Sequence, residues 1–494
     1  MQKRFLNEKI HNELVPALEQ LVEELPDDLV EFSEVEQVLR VRFLKLAGDM
    51  LRGWSEVAVT RISIPGCPSC GNTMRHKGLK PLTLATTLGH VQLRRPRYRC
   101  KRCKKDIYPH DQRIRFLSNG VSLVMGKVVC RMSADKPFAR AAEDLQEDYG
   151  VRLCKQTVEH VAESAGKQIN AIEDRRRETI QGLSPGERLS ALPGATDTPG
   201  KLAVACCDGA MIHTGSKPKY LKNKADKPGW YEVRAASIAI GDPVHDGIEP
   251  RCNASEKPGP DSPGPDSPGP DSPGPDSPGR GHHFRMNVLR TRSFARFESV
   301  ADVGMDMYLR ACEVGFFDAP LQCFLSDGAA WLRNIAEEHF PDAIPILDWY
   351  HVTEYVCEVA ALLFGQGTAQ AKRWIESRKA ELWAGRIGAA LHAITHQRKK
   401  DDLTQQQRDA LDRTTTYIDG NRDRMQYPRY RELGLPIGSG RAEGLRKTLV
   451  EGRCKQSGMR NWTPPGAEGI LRLRAARHDG IFNQTWSQYF TPTA

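Results

Sequence analysis

The spacing of apolar positions changes several times along the chain, and each change marks a candidate boundary. Over residues 1–60, Leu14, Leu18, Leu21, Val22 and Leu25 recur at helical spacing, and a second run extends from Val35 to Leu51. This segment is expected to be a helical arm without chemistry of its own. Residues 61–112 switch to strand-like alternation, with LTLATTLGHVQLRRPRYR reading as two strands around a turn at Gly89, and residues 113–180 turn helical again. From Leu202 short β-rich runs (LAVACC, YEVRAASIAI, FRMNVLRT, LQCFLS, AIPIL) alternate with helical stretches, which predicts a mixed α/β domain over 195–351. Residues 352–436 are helix-patterned throughout, and 437–494 form a basic helical tail. Between the second and third β-rich runs, positions 256–280 repeat Pro, Gly, Asp and Ser in a five-residue unit that cannot bury apolar surface. A disordered loop tolerated between two strands is expected there. The 494 residues exceed what one hydrophobic core usually holds, so the fold class is multidomain α/β.

Charge sharpens this picture. Lys and Arg outnumber Asp and Glu by 71 to 62, and the segment RRPRYRCKRCKK concentrates Arg94, Arg95, Arg97, Arg99, Lys101 and Arg102 with no acid among them. Such a run points to a polyanion, with a solvated face as the plain alternative. The N-terminus is charged and lacks an apolar signal region, and nowhere do 18 consecutive residues read as apolar. A soluble, cytoplasmic protein without a membrane partner is expected.

Thirteen cysteines in a long chain without a secretion signal suit metal ligands and buried thiols better than a disulfide framework. Cys67-Pro-Ser-Cys70 and Cys100-Lys-Arg-Cys103 form two CxxC knuckles separated by 29 residues. Four thiolates at that spacing suit tetrahedral zinc in a ribbon, and they leave no open position for catalysis, so this metal is read as structural. Beyond the ribbon, a helix from Phe138 and a second from Lys155 flank Gly150. A helix-turn-helix would offer Lys155, Gln156 and His160 to a major groove, and an ordinary packing hairpin fits the pattern as well.

Asp208 ends the run LAVACC and Asp327 ends LQCFLS, each followed by glycine. A lone acid at a strand end is usually a turn former. Two such placements in one α/β domain, followed by an acid on a helix, suit two-metal phosphoryl transfer, which needs convergent carboxylates holding cations roughly 3.5–4 Å apart.

The blocks CDGAMIHT, LSDGAAWLRNIAEEHFPDAIPILDWYHVTEYV and IGSGRAEGLRKTLVEGRCKQSGMRNW resemble those of bacterial insertion-sequence transposases of the ISKra type, over about residues 200–475. The resemblance implies a DDE transposase with an RNase H-like core, in which Asp208, Asp327 and Glu443 hold two Mg²⁺ (or Mn²⁺) ions. It also implies a DxxH motif, matched by Asp348-Trp-Tyr-His351, and an all-α insertion before the glutamate, which the 116-residue interval from Asp327 to Glu443 accommodates. The sequence departs from the pattern in having Gly444 where serine often follows the glutamate, and in the repeat that interrupts the core.

The implied reaction is hydrolysis of a phosphodiester at each transposon end, followed by attack of the freed 3′-hydroxyl on target DNA. Double-stranded DNA is the expected partner, with a homo-oligomer in the synaptic complex. His351 would contact the scissile region or serve as a hydrogen-bonded structural histidine. Trp331 would stack on an unpaired base or pack in the core. Arg446, Lys447, Arg453, Lys455 and Arg460 would contact phosphates. Glu451 and Glu468 compete with Glu443 for the third carboxylate; on a regular helix from Arg441 to Gly452, residues 443 and 451 would lie roughly 80° apart. A catalytically inactive DNA-binding regulator and an RNase H-like nuclease without strand transfer are the alternative functions.

Overall fold

Two mixed β-sheets and the helices around them organise the chain. The computed structural model describes residues 2–23, 32–59, 65–184, 187–188, 191, 200–243, 286–438, 440–456, 459 and 462–490. The Pro-Gly-Asp-Ser repeat and Arg460 lie outside these. The chain divides into two compact units, Met1–Asn170 with Pro465–Ala494, and Ala171–Pro464.

In the first unit, helices α1 (Gln2–Glu23) and α2 (Phe32–Val59) precede a sheet built on the hairpin of β1 (Arg75–Thr86) and β2 (Gly89–Arg99). Short strands β3 (Asp106–Ile107), β4 (Phe116–Leu117) and β5 (Val121–Ser122) complete the order β3-β2-β1-β5-β4. The hairpin registers Leu84 on Val91 and Leu82 on Leu93. Its alternation sends Val91 and Leu93 inward while Gln92 and Arg94 face out, and Tyr98 is buried separately, beside Cys67 and Cys100. After the short helix α3 (Asp111–Ile114), helix α4 (Leu123–Asp135) starts where the Ser122 hydroxyl accepts from the Met125 N–H. Helix α5 (Phe138–Tyr149) ends on Gly150 at φ 65°, a left-handed conformation that costs a side-chain-bearing residue more, and α6 (Lys155–Gln181) follows.

The second unit holds the other five-stranded sheet, ordered β10-β9-β6-β7-β8. Strands β6 (Leu202–Thr214), β7 (Gly229–Pro243) and β8 (Met286–Arg296) form an antiparallel meander, while β9 (Leu321–Ser326) and β10 (Ile344–Leu347) run parallel to β6. Helices α7 (Val300–Val314) and α8 (Ala330–His339) provide the crossovers that parallel strands require. Along β6 successive residues alternate between two cores: Leu202, Val204 and Cys206 on one face, Ala203, Ala205 and Cys207 on the other. The second face packs against α7 and α8.

The first face packs against a block of helices that follows β10: α9 (Trp349–Phe364), α10 (Ala369–Trp383), α11 (Ile387–Gln397), α12 (Gln405–Gly420) and α13 (Tyr427–Glu432). Trp349 meets Trp383 and Tyr427 edge-on at 5.1 Å each, tying the first turn of α9 to α10 and α13. Elsewhere in this unit a buried ionic cluster joins the second half of α6 to the sheet and α7. Arg177 donates to both Glu298 oxygens (2.9 and 2.8 Å) and pairs with Asp306 at 3.0 Å, and Arg296 pairs with Glu298 at 2.9 Å.

The stretch from Arg441 to Gly452 is not one regular helix. An α-helical turn, α14 (Gly440–Leu445), passes into a π-helical segment (Arg446–Glu451) before closing as α15 (Gly452–Cys454). Wider π turns advance less than about 100° per residue, so Glu443 and Glu451 come nearer to one face than the roughly 80° expected of a regular helix. The chain ends in α16 (Pro464–His478) and α17 (Phe482–Phe490).

Candidate functional site

Strand β6 carries the first acid, and the second directly follows the last residue of β9. The parallel register of the two strands pairs Leu202 with Leu321 and Cys206 with Leu325; continued by two residues, it sets Asp208 beside Asp327. Neighbouring strands lie about 4.8 Å apart, so the two carboxylates spring from adjacent points at the end of the parallel pair. One sequence expectation needs correction. Asp208 does not end its strand: β6 continues to Thr214, paired throughout with β7, and Asp208 stands opposite Ala235. The position is open because β9 stops at Ser326, not because β6 does.

The backbone holds both acids in place. The Gly209 N–H donates to Asp208 Oδ1 at 2.7 Å, and the Ala329 N–H donates to Asp327 Oδ1 at 2.9 Å. Between the latter pair Gly328 has φ +92°, and a Cβ there would fall 2.8 Å from Leu347 Cδ1 and 2.9 Å from Tyr417 Cε2. The Tyr417 hydroxyl donates to the Asp327 carbonyl at 2.6 Å, and its ring stacks on Tyr355 at 4.2 Å. Burial pushes the Asp208 carboxyl above the usual range; the Arg446 guanidinium opposes that shift, the Asp327 charge adds to it, and His351 again opposes it.

The remaining predicted residues occupy distinct places. Asp348 is buried and serves as the N-cap of α9, its Oδ1 accepting from the N–H groups of Tyr350 (2.7 Å) and His351 (3.4 Å). A cap of this kind typically stabilises a helix by ~1 kcal/mol. His351 lies 3.3 Å from Glu354 through Nδ1 and edge-on to Tyr417 at 6.2 Å. Trp331 packs against the core with the Arg234 guanidinium over its ring at 5.2 Å, so core packing describes it better than base stacking.

The final block is pinned to the same region. The Trp349 N–H donates to the Ile437 carbonyl at 2.8 Å, Ala442 is buried in the core shared with Cys206, and Arg441 reaches Ser237 and Thr291 on β7 and β8 (3.4 and 3.1 Å). On this docked turn the Glu443 carboxylate pairs with Lys447 at 2.7 Å and is 49% exposed. Arg446 takes a role that its charge alone did not indicate: its Nε lies 3.2 Å from Asp208 Oδ2 and its Nη1 2.9 Å from Glu451 Oε1. Glu451 also accepts from Lys455 at 2.7 Å. Burial raises the Glu451 carboxyl, but Lys455 and Arg446 outweigh it and hold it below its ordinary value. Arg453 is fully buried, its guanidinium 5.0 Å over the Trp462 ring, which corrects its expected place on a phosphate-facing surface. Tyr417 and the link from Asp208 to Glu451 escaped the sequence, since both depend on residues brought together from far along the chain.

In the first unit the Sγ atoms of Cys67, Cys70, Cys100 and Cys103 lie within 4.8 Å of one another, a set that can hold a metal ion. The Ser69 backbone lowers the Cys67 thiol toward about 7, whereas the Cys70 sulfur raises Cys103 to about 12. The adjacent basic run divides. Arg97 and Arg99 pair with Asp106 (2.7 and 3.4 Å) and Arg95 with Asp111, whereas Arg94, Lys101 and Arg102 face solvent. Lys155, Gln156 and His160 are exposed on α6.

No family model matches the chain, and no curated protein matches it. Among solved structures it is similar to a Drosophila P element transposase strand transfer complex, at 10% identity over 75% of this chain and 81% of that one, with a TM-score of 0.22. No helix among the described residues is long and apolar enough to cross a membrane.

Proposed function

We propose that the protein is a DDE-type DNA transposase that uses Asp208, Asp327 and Glu443 for metal-dependent cleavage and strand transfer at insertion-sequence ends. The observation that carries this reading is the juxtaposition of Asp208 and Asp327 at the end of the parallel pair β6/β9. A sheet with three antiparallel strands followed by two parallel ones, in the order 3-2-1-4-5, suits an RNase H-like core, and the α9–α13 block stands where an all-α insertion is expected. A π-helical segment beginning three residues after Glu443, at Arg446, adds support, because such segments recur at functional sites.

The residues fit divalent cations. Two neighbouring carboxylates, one with a guanidinium already against it, form a site whose negative charge favours a cation. Mg²⁺ or Mn²⁺, when bound, would activate the attacking oxygen and stabilise the leaving one. Asp208 and Asp327 would hold it from rigid, backbone-fixed positions, and Glu443 would complete the set by leaving Lys447, an exchange that forfeits only about 0.2–0.5 kcal/mol. Tyr417 would keep the Asp327 backbone in place, and Asp348 would orient the turn bearing His351. The four cysteines would hold a structural zinc ion, and the exposed Arg94, Lys101 and Arg102 would contact duplex phosphates. The protein would act as a homo-oligomer on paired ends.

The test is joining of a labelled transposon end to plasmid DNA. Joined product supports a transposase; cleavage without joining points to a nuclease; binding with neither points to a DNA-binding regulator.

A further inference from the structure

We propose that the loop between β6 and β7 is a duplex-DNA clamp that grips the phosphate backbone on one flank of the reacting site. The inference rests on the transposase reading and assigns a binding surface to residues outside its catalytic set. The loop, GSKPKYLKNKADKPG over positions 215–229, carries Lys217, Lys219, Lys222, Lys224 and Lys227 against a single acid, Asp226.

A lysine-rich loop is ordinarily a solvated, mobile segment, but this one has an internal frame. Lys217 turns inward, its Nζ donating to the carbonyls of Lys222 (3.1 Å) and Lys224, while its backbone N–H donates to Asp226 Oδ1 at 3.0 Å. The Tyr231 hydroxyl donates to the Lys227 carbonyl at 2.7 Å, and the Gly215 N–H donates to the Trp462 carbonyl at 2.8 Å. One lysine and the only acid are thus occupied in shaping the loop. Lys219, Lys222, Lys224 and Lys227 remain exposed, and none is ion-paired among the described residues. A preshaped cationic loop loses less entropy on binding a polyanion than a flexible one.

Its position gives the charge a use. The loop leaves the strand that carries Asp208, six residues beyond it at Thr214. At about 3.3 Å per residue that is roughly 20 Å, and a duplex rises about 3.4 Å per base pair along its axis, so a duplex lying along β6 would meet the loop about six base pairs from the reacting phosphate. Trp230, 58% exposed and edge-on to His213 at 5.6 Å, stands at the loop's return and offers an apolar surface beside the lysines.

The experiment measures binding of the full chain to a short fluorescein-labelled random-sequence duplex by anisotropy over a range of salt concentrations. It compares the wild type with the quadruple variant Lys219→Gln, Lys222→Gln, Lys224→Gln, Lys227→Gln and with the corresponding four-arginine variant. Each phosphate contact contributes about 0.9 to the slope of log K against log salt, so the glutamine variant is expected to lose about two to four units of slope while the arginine variant keeps it. Circular dichroism confirms that the variants fold. An unchanged slope in a folded glutamine variant overturns the clamp and leaves the transposase reading intact. A wild type without salt-dependent duplex binding overturns both.

Discussion

Arg446 stands with its Nε 3.2 Å from Asp208 Oδ2, an internal cation seated against the first candidate metal ligand. The same guanidinium reaches Glu451 at 2.9 Å, so a chain of three charges joins the middle of β6 to the end of the π segment. This pairing makes the site responsive to any competing cation.

Arg446→Gln should therefore bind Mg²⁺ or Mn²⁺ more tightly than the wild type. The Asp208 side chain is 32% exposed, so the lost pair is worth up to about 1 kcal/mol and the gain in affinity up to about five-fold. A thermal-shift titration with Mn²⁺ in the absence of DNA reads it, and equal midpoints for the two proteins would show that Arg446 does not compete.

The third carboxylate is a choice between two glutamates that the π segment brings toward one face. Glu443→Gln is expected to abolish divalent-cation-dependent cleavage with DNA binding intact, while Glu451→Gln leaves cleavage within a few-fold of wild type. Paired cleavage and gel-shift assays decide; the reverse outcome would give the ligand role to Glu451, which already shares Arg446 with Asp208.

For the cysteine cluster, metal analysis of the purified protein should find about one zinc per chain, and the Cys100→Ser, Cys103→Ser double variant should find none, with a lower melting temperature. Full zinc content in that variant would remove the assignment.

A pH effect is expected from the buried ionic cluster. Burial and the Asp306 charge, opposed by Arg296 and Arg177, raise the Glu298 carboxyl from 4.5 to about 8. The folded protein then keeps a proton that the unfolded chain releases, so this group's stabilisation is complete below about pH 4.5 and is lost as pH rises to about 8. Between about pH 5 and 8.5 the wild type should lose a few degrees more of melting temperature than Glu298→Gln. Parallel pH profiles for the two would contradict this.

Features written locally were legible in the sequence. The CxxC spacing marked the cysteines that meet, Gly89 marked the start of β2 after the hairpin turn, and Gly150 marked the end of α5, because thiolate geometry and positive φ each restrict residue choice at single positions. The two Asp-Gly pairs pointed to Asp208 and Asp327. What they could not convey was that β6 runs on past Asp208, since the halt that opens the site occurs on β9.

Long-range pairing accounts for the rest. Asp106 and Asp111 fold back onto Arg95, Arg97 and Arg99, so a run without an acid of its own is partly neutralised in space. Arg453 reads as a surface cation among lysines and arginines, yet it lies under Trp462. Tyr417 reaches Asp327 from 90 residues away. A π-helical segment has no local signature comparable to a turn glycine, so the phase linking Glu443 to Glu451 was out of reach.

In the proposed function, Asp208 and Asp327 together support metal-dependent DNA cleavage. Mg²⁺-dependent cleavage of duplexes taken from the DNA on either side of the gene tests this, with wild type, Asp208→Asn and Asp327→Asn compared beside a gel shift. Both variants are predicted to lose cleavage by orders of magnitude while binding the duplex nearly as well as the wild type. Wild-type cleavage by either variant would contradict the account.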